Sequence, residues 1–302
     1  TIRIGTRGSP LALKQAEEPR DKLISAHGLD GGRIEIVDIT TTGDRIRDRP
    51  LAEIGGKGLF TKEIEEALYA NDIDLAVHSM KDMPAEFPDG LGIVCLLERE
   101  DPRDAFMSPV AATLADLATG AVVGSSSVRR AAQVKQLRPD LEIVAYRGNV
   151  DTRLAKLKAG DVSATFLACA GLIRLGLGDE ITHAVPVDEM LPAVAQGAIG
   201  IEIRLDDDKT REMLEPLHHL QTAQTLAAER GFLCALDGSC RTPLAGHARL
   251  DGDEIEFHGA ALTLDGSAIF EARRRGGIAD ADALGRDAAE EVKAAAGSRL
   301  FA

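Results

Sequence analysis

The chain has 302 residues, 44% of them hydrophobic, 28% charged and 3% aromatic, with a formal net charge of −14 and no tryptophan. Such acidity repels nucleic acid and anionic membrane, the scarce aromatics argue against stacking platforms for bases or sugars, and no apolar run reaches the ~18 residues of a membrane span. The length allows two or three domains rather than one.

In chain order, residues 2–5 read as a strand, with no signal-peptide pattern. Ser9 followed by Pro10 signals a helix start, and Pro19 is expected to kink or interrupt that helix. Strands are predicted at 34–40 and 73–77 around a helix at 61–70. The alternation resumes with strands at 121–124, 141–146 and 164–169, each followed by a helix (127–137, 150–159 and 171–175), and a further strand at 198–204. This rhythm predicts parallel-rich sheets covered by helices on both faces. From about Thr222 it changes to a helix at 222–235, three strands (244–250, 254–264, 267–273) with Asp251-Gly252 and Asp265-Gly266 as hairpin turns, and a closing helix at 280–295. The polar stretch 98–103, with Pro102, marks a crossing into a second α/β domain, and 192–197 a return.

The four cysteines form no Cys-x-x-Cys pair and the seven histidines do not cluster beside them at zinc spacing, so no metal site is predicted. Free thiols fit a reducing cytoplasm. Cys95, Cys169 and Cys234 lie in apolar patterns and read as buried and inert. Cys240, in Asp237-Gly238-Ser239-Cys240-Arg241, sits in a turn beside a cation and is the one candidate nucleophile.

Cations and hydroxyls gather just past five predicted strands: Arg7 and Ser9; Ser79 and Lys81; Ser125, Ser127, Arg129 and Arg130; Arg147, Gly148 and Arg153; and Arg174. Helix N-termini favour anions, and arginine matches a carboxylate or phosphate with a planar fork. A single arginine in such a place is usually a solvated surface residue, but this set points to an anion site. Asp82, in His78-Ser79-Met80-Lys81-Asp82-Met83-Pro84, stands among these cations. It reads either as an ion-pair partner or loop cap, or as a buried general acid or counterion to a cation formed in a reaction. His78 is as consistent with packing as with catalysis. Gly55-Gly56-Lys57-Gly58 lacks P-loop spacing, so it reads as a lid or an ordinary loop, and a phosphate-transferring enzyme would need metal-binding carboxylates that are not evident near Lys57.

Together, and in this order, these stretches resemble the porphobilinogen deaminase (hydroxymethylbilane synthase) family: Thr6-Arg7-Gly8-Ser9-Pro10-Leu11-Ala12-Leu13, then residues 54–60, 76–84, 98–106, 124–130, 147–153, 170–176, 191–197 and 238–240. The resemblance implies an α/β fold with two type II periplasmic-binding-protein-like domains, an active site between them, and a small C-terminal α+β domain. The expected boundaries are 1–97 with 198–217, then 98–197, then 218–302. It implies a transferase that condenses four porphobilinogen molecules, with loss of ammonia, onto a dipyrromethane cofactor held by a thioether at Cys240, and then releases the linear tetrapyrrole by hydrolysis. Asp82 matches the catalytic aspartate opposite the azafulvene cation. Ser79, Lys81, Ser125, Ser127, Arg129, Arg130, Arg147 and Gly148 match cofactor contacts. Arg7, Ser9, Phe60, Arg147, Arg153, Arg174 and Gln196 match substrate contacts, and Lys57 the lid. Glu53, Thr42 and Ser239 depart from residues common in the family. The expected partner is the small molecule porphobilinogen, with no nucleic acid and no membrane, and the expected state a cytoplasmic monomer. A cytoplasmic protein that only binds small anions is the alternative from another class, and it needs neither Asp82 nor Cys240.

Overall fold

The computed structural model describes residues 1–45, 59–237 and 242–301. In chain order its elements are β1 (Ile2–Arg7), α1 (Pro10–His27), β2 (Ile34–Ile39), the single turn α2 (Thr42–Arg45), α3 (Lys62–Tyr69), β3 (Leu75–Ser79) and β4 (Leu91–Leu96). There follow β5 (Asp104–Met107), β6 (Val122–Gly124), α4 (Val128–Leu137), β7 (Glu142–Val144), α5 (Val150–Lys158), β8 (Ala164–Ala168), α6 (Cys169–Arg174) and β9 (His183–Ala184). The last are β10 (Ile199–Arg204), α7 (Asp208–Leu214), α8 (Leu220–Ala235), β11 (Leu244–Asp251), β12 (Glu254–Leu262), β13 (Ile269–Gly277) and α9 (Ala281–Ala296).

The chain forms two compact units, Thr1–Glu100 with Gly197–Ala223, and Asp101–Gln196 with Gln224–Ala302. In the first, the sheet order is β2-β1-β3-β10-β4. β1 runs parallel to β2 and β3, and β10 is antiparallel to β3 and β4. Ile4, Leu75, Val77, Ile199 and Ile201 bury one shared core, the continuous apolar pattern of strands covered on both faces. α1 starts where expected: Ser9 accepts the Ala12 amide at 3.3 Å and Pro10 takes the first turn. The expected break at Pro19 does not occur, and one helix runs from Pro10 to His27. Ala12, Ala16, Pro19 and Leu23 recur at helical spacing and are all buried, so core packing offsets the hydrogen bond that proline cannot donate.

The second unit contains two sheets. One has the order β7-β6-β8-β5-β9, with β6 parallel to β7 and β8, and β5 antiparallel to β8 and β9. Alternate residues of β5 serve different cores: Ala105 and Met107 pack on one side, while Phe106 meets Phe166 edge-on at 5.5 Å on the other. The other sheet, β11-β12-β13, is antiparallel and α9 packs on β12 and β13, giving the small C-terminal sheet-and-helix domain. Gly252 (φ 62°) and Gly266 (φ 71°) take the left-handed backbone its two hairpin turns need. No described helix is long and apolar enough to cross a membrane.

Candidate active site

In the first unit the functional side chains follow β1 and β3, which are neighbours in the sheet. Arg7 closes β1. Its guanidinium pairs with Asp44 (Nε–Oδ2 3.3 Å, with a second contact from Nη2 to Oδ1) and lies 4.1 Å over the Phe60 ring. Burial would raise the Asp44 carboxyl, but Arg7 and a 2.7 Å hydrogen bond from Thr41 hold it below the usual carboxylate range. Thr42 donates its amide to Glu63 at 2.9 Å. Past β3 the chain makes one 3-10 turn, Met80–Asp82, which carries Lys81 and Asp82. Asp82 is exposed rather than buried, and makes no hydrogen bond or ion pair with a described residue. It lies past the strand end, where the sheet no longer covers it. His78, one step back inside β3, is buried and its Nε2 sits 2.9 Å from the fully buried Glu202. It is a packed group, not an exposed base.

In the second unit the residues past β6 divide into two groups. Arg129 and Arg130, expected as ligand contacts, are 5% and 6% exposed and converge on Asp104, which is 0% exposed. Arg129 donates to both Asp104 oxygens (2.7 and 3.1 Å), and Arg130 donates through Nε (2.9 Å) and Nη2 (2.7 Å). The carbonyls of Leu191 and Phe166 take one further N–H from each. Gln196, also expected to line the site, donates to Asp104 at 3.0 Å and is buried. Burial alone would raise the Asp104 carboxyl, yet the two arginines hold it far below its ordinary value. These three residues therefore anchor the fold first, and the network keeps a surplus of one positive charge.

The second group is more open. Arg147 and Arg153 are half-buried, and Arg153 donates its Nε to the Gly148 carbonyl at 2.9 Å. Gly148 has φ 130°, and a Cβ there would lie 2.8 Å from Thr152 side-chain atoms, so glycine is required. Burial first, then Arg130 and Arg147, depress the Arg153 guanidinium to about 10. Arg153 makes no ion pair with a described residue, so this neighbourhood holds excess positive charge. Ser127 caps α4 by accepting the Arg130 amide at 3.4 Å, Asn149 caps α5 by accepting the Thr152 amide at 2.9 Å, and Ser125 hydrogen-bonds within the same turn. Two helix N-termini, serine hydroxyls and the Arg153 guanidinium suit a ligand bearing several carboxylates. Arg174 ends α6. Cys240, Ser239, Arg241, Lys57 and Glu53 lie outside the described residues. Cys95 and Cys169 are buried thiols, each pushed up to about 12 mainly by burial, as inert core groups should be.

Comparison with known proteins decides which polyanion. A family model described as "Porphobilinogen deaminase, dipyromethane cofactor binding domain" matches residues 2–212, and "Porphobilinogen deaminase, C-terminal domain" matches 223–294. The chain belongs to the porphobilinogen deaminase family. A porphobilinogen deaminase of Paracoccus denitrificans is 57% identical over 99% of this chain and 96% of its own length. That of Nitrobacter hamburgensis is 55% identical over 99% and 94%. Among solved structures, an ABC-transporter periplasmic substrate-binding protein of Coxiella burnetii aligns over 76% of this chain and 97% of its own, at 15% identity and a TM-score of 0.44. That likeness is too loose to argue from.

The activity is accordingly that of a transferase, condensing porphobilinogen units with loss of ammonia onto a dipyrromethane cofactor and releasing the linear tetrapyrrole. The binding-only alternative is not favoured. The sequence reading missed Asp104 and Asp44, the carboxylates that pair with Arg129, Arg130 and Arg7, and the buried Glu202 beside His78. Asp104 was hidden just past a run read as linker, and Glu202 inside an apolar strand. A charge count offered the one available signal, since clustered buried arginines need an anion.

Proposed function

We propose that the two sets of strand-end residues divide the work of this reaction. Asp82 is the catalytic carboxylate. It stands exposed beyond β3 with no described protein partner, and this observation carries the assignment, because the carboxylate is left available to a ligand. A carboxylate aimed at the positive charge that develops on a substrate pyrrole as ammonia leaves stabilises that charge and orders the pyrrole N–H. Ser79 and Lys81 share its turn and bind the ligand beside it. Arg7 and Ser9 at the end of β1, with Phe60 against the Arg7 guanidinium, bind substrate carboxylates. Arg147, Gly148 and Arg153 hold carboxylates, with the charge of Arg153 paired to no described acid. Ser125 and Ser127 contribute donors at the α4 N-terminus, and Arg174 adds a further cation. Arg129 and Arg130 act through Asp104 and present their remaining N–H groups to the cofactor or substrate, while Gln196 holds Asp104 and the Pro102 carbonyl beside them. When bound through Cys240, the dipyrromethane group supplies the pyrrole carbon to which units are added.

We read the chain as three domains, 1–97 with 198–217, 98–197, and 218–302, each with one of the three sheets. It works as a cytoplasmic monomer on small molecules, with no nucleic-acid or membrane partner. The net charge of −14 supports the last point, because it repels nucleic acid and anionic membrane.

Intact-mass spectrometry of the purified protein tests the tether. The expected mass exceeds that of the sequence by two condensed pyrrole units, and Cys240→Ser returns it to the sequence value. An unmodified mass in turning-over protein, or a modified Cys240→Ser variant, overturns the assignment.

A further inference from the structure

The first unit buries a carboxylate that the reaction does not use. Glu202 is 0% exposed, in the middle of β10. Its partner, His78, is 6% exposed on the neighbouring strand, Nε2 to Oε2 2.9 Å. A third ionisable group, Glu65 on α3, is also buried, and its carboxyl is raised by burial first and then by the charge of Glu202. Burying such groups is costly, and a core that only needed filling is served as well by apolar side chains of the same size. The pair therefore needs a reason.

Its position supplies one. β10 and β3 are antiparallel, with Gly200 opposite His78 and Ile199 opposite Ser79. The pairing continues past the strand, where the Met80 amide donates to the Ala198 carbonyl at 3.0 Å. The Met83 amide then closes the 3-10 turn on the Met80 carbonyl at 3.3 Å. The backbone that carries Ser79, Lys81 and Asp82 is thus held by the start of β10. His78 and Glu202 lie diagonally across this ladder, since Glu202 itself faces Ala76. A two-residue slip keeps every side chain on its own face, so the apolar pattern alone does not forbid it. The His78–Glu202 bond forms at one register only. On its other side, β10 changes register against β4 between Ile201 and Glu202, an irregularity of the kind that re-aims a side chain. Gly200 is matched to the same arrangement: a Cβ there would lie 2.2 Å from the Met80 sulfur.

We propose that Glu202 is a positioning residue. Through His78 it fixes the register of β3 on β10, and so the place of the Asp82 carboxylate. This rests on Asp82 being the catalytic carboxylate.

The test compares the cofactor-loaded enzyme with Glu202→Leu, Glu202→Gln and the double variant His78→Phe/Glu202→Leu. Turnover is read as porphobilinogen consumption per folded molecule, beside thermal unfolding. Misplacing a reacting group by about 1 Å costs on the order of 100-fold, so Glu202→Leu is expected to lose 10- to 100-fold in kcat with KM changed less than about threefold. Glu202→Gln keeps the hydrogen bond and is expected to retain most of kcat. The double variant leaves no polar group unpaired and serves if Glu202→Leu does not fold. It is expected to regain thermal stability while kcat stays low. Recovery of kcat together with stability in the double variant, or a normal kcat in folded Glu202→Leu, overturns the proposal. Asp82→Asn, assayed in parallel, separates the two claims. Substantial turnover there refutes the catalytic role of Asp82. Loss there with normal turnover in Glu202→Leu refutes only the positioning role.

Discussion

Asp104→Asn isolates the largest electrostatic commitment in the second unit. The Asp104 carboxylate is fully buried and accepts five hydrogen bonds of 2.7 to 3.1 Å, four of them from two guanidinium groups and one from Gln196. Breaking a buried ion pair by removing one partner costs about 3–5 kcal/mol, because the other charge remains buried. Here two charges remain, so the expected loss lies at the upper end, about 4–5 kcal/mol in urea unfolding followed by circular dichroism. Glu180→Gln is the control, since it breaks the exposed Lys158–Glu180 pair of the same unit (3.0 Å) and should leave the curve within error. Acidity gives a second reading. The folded carboxyl of Asp104 is held below its unfolded value of about 3.9, so its contribution is present above that value and is lost as pH falls through the folded one. The gap between parent and variant should be constant from about pH 7 to pH 5 and narrow below about pH 4. A destabilisation no larger than that of Glu180→Gln, or a gap that does not narrow in acid, refutes the reasoning.

Arg153→Met removes a half-buried cation that no described acid neutralises and that Arg130 and Arg147 repel. The thermal midpoint is expected to hold or rise, while the KM for porphobilinogen rises roughly 10- to 100-fold, the ~1.5–3 kcal/mol of a charged hydrogen bond. Lower stability with an unchanged KM would count against a carboxylate role. Gly124→Ala places a Cβ 2.5 Å from Tyr146 Cγ and 2.9 Å from its Cβ. It should cost about 1–3 kcal/mol by overpacking. Tyr146 donates its hydroxyl to the Arg153 carbonyl at 2.7 Å, so this variant should also raise the KM. A change in stability alone would mean that the ring moves without moving Arg153.

The strands and helices were legible where apolar spacing and cap residues agreed. Ser9, Ser127 and Asn149 each precede a helix and each caps it. Legibility failed where a tertiary partner overrode the local signal. Pro19 reads as a break, yet its ring completes the buried face of α1. β5 begins with a charged residue, so the four residues Asp104–Met107 do not look like a buried strand until the two arginines that neutralise Asp104 are placed beside it. The candidate site divides in the same way. Residue types at strand ends pointed to an anion, but one sequence does not say which arginines are already occupied. Arg7 has Asp44, Arg129 and Arg130 share Asp104, and Arg153 has no described acid. Asp82 was expected buried because a lone carboxylate among cations suggested a low-dielectric pocket. It is exposed because it lies past the end of β3.

In the proposed reading, that inventory explains how a chain of net charge −14 holds a polyanion. At physiological salt the field of distant acids is screened beyond about 8 Å, so the overall charge sets solubility and the local balance sets binding. Near α4 and α5 the local balance is positive because three guanidinium groups, those of Arg129, Arg130 and Arg153, have one buried carboxylate among them. The same carboxylate makes the cluster possible, since desolvated arginines with no acid at all would destabilise the unit. Asp104 is thus a compromise between two demands. One anion is enough to let the arginines be buried and oriented, and a second would cancel the charge that the pyrrole carboxylates meet in the proposed reading.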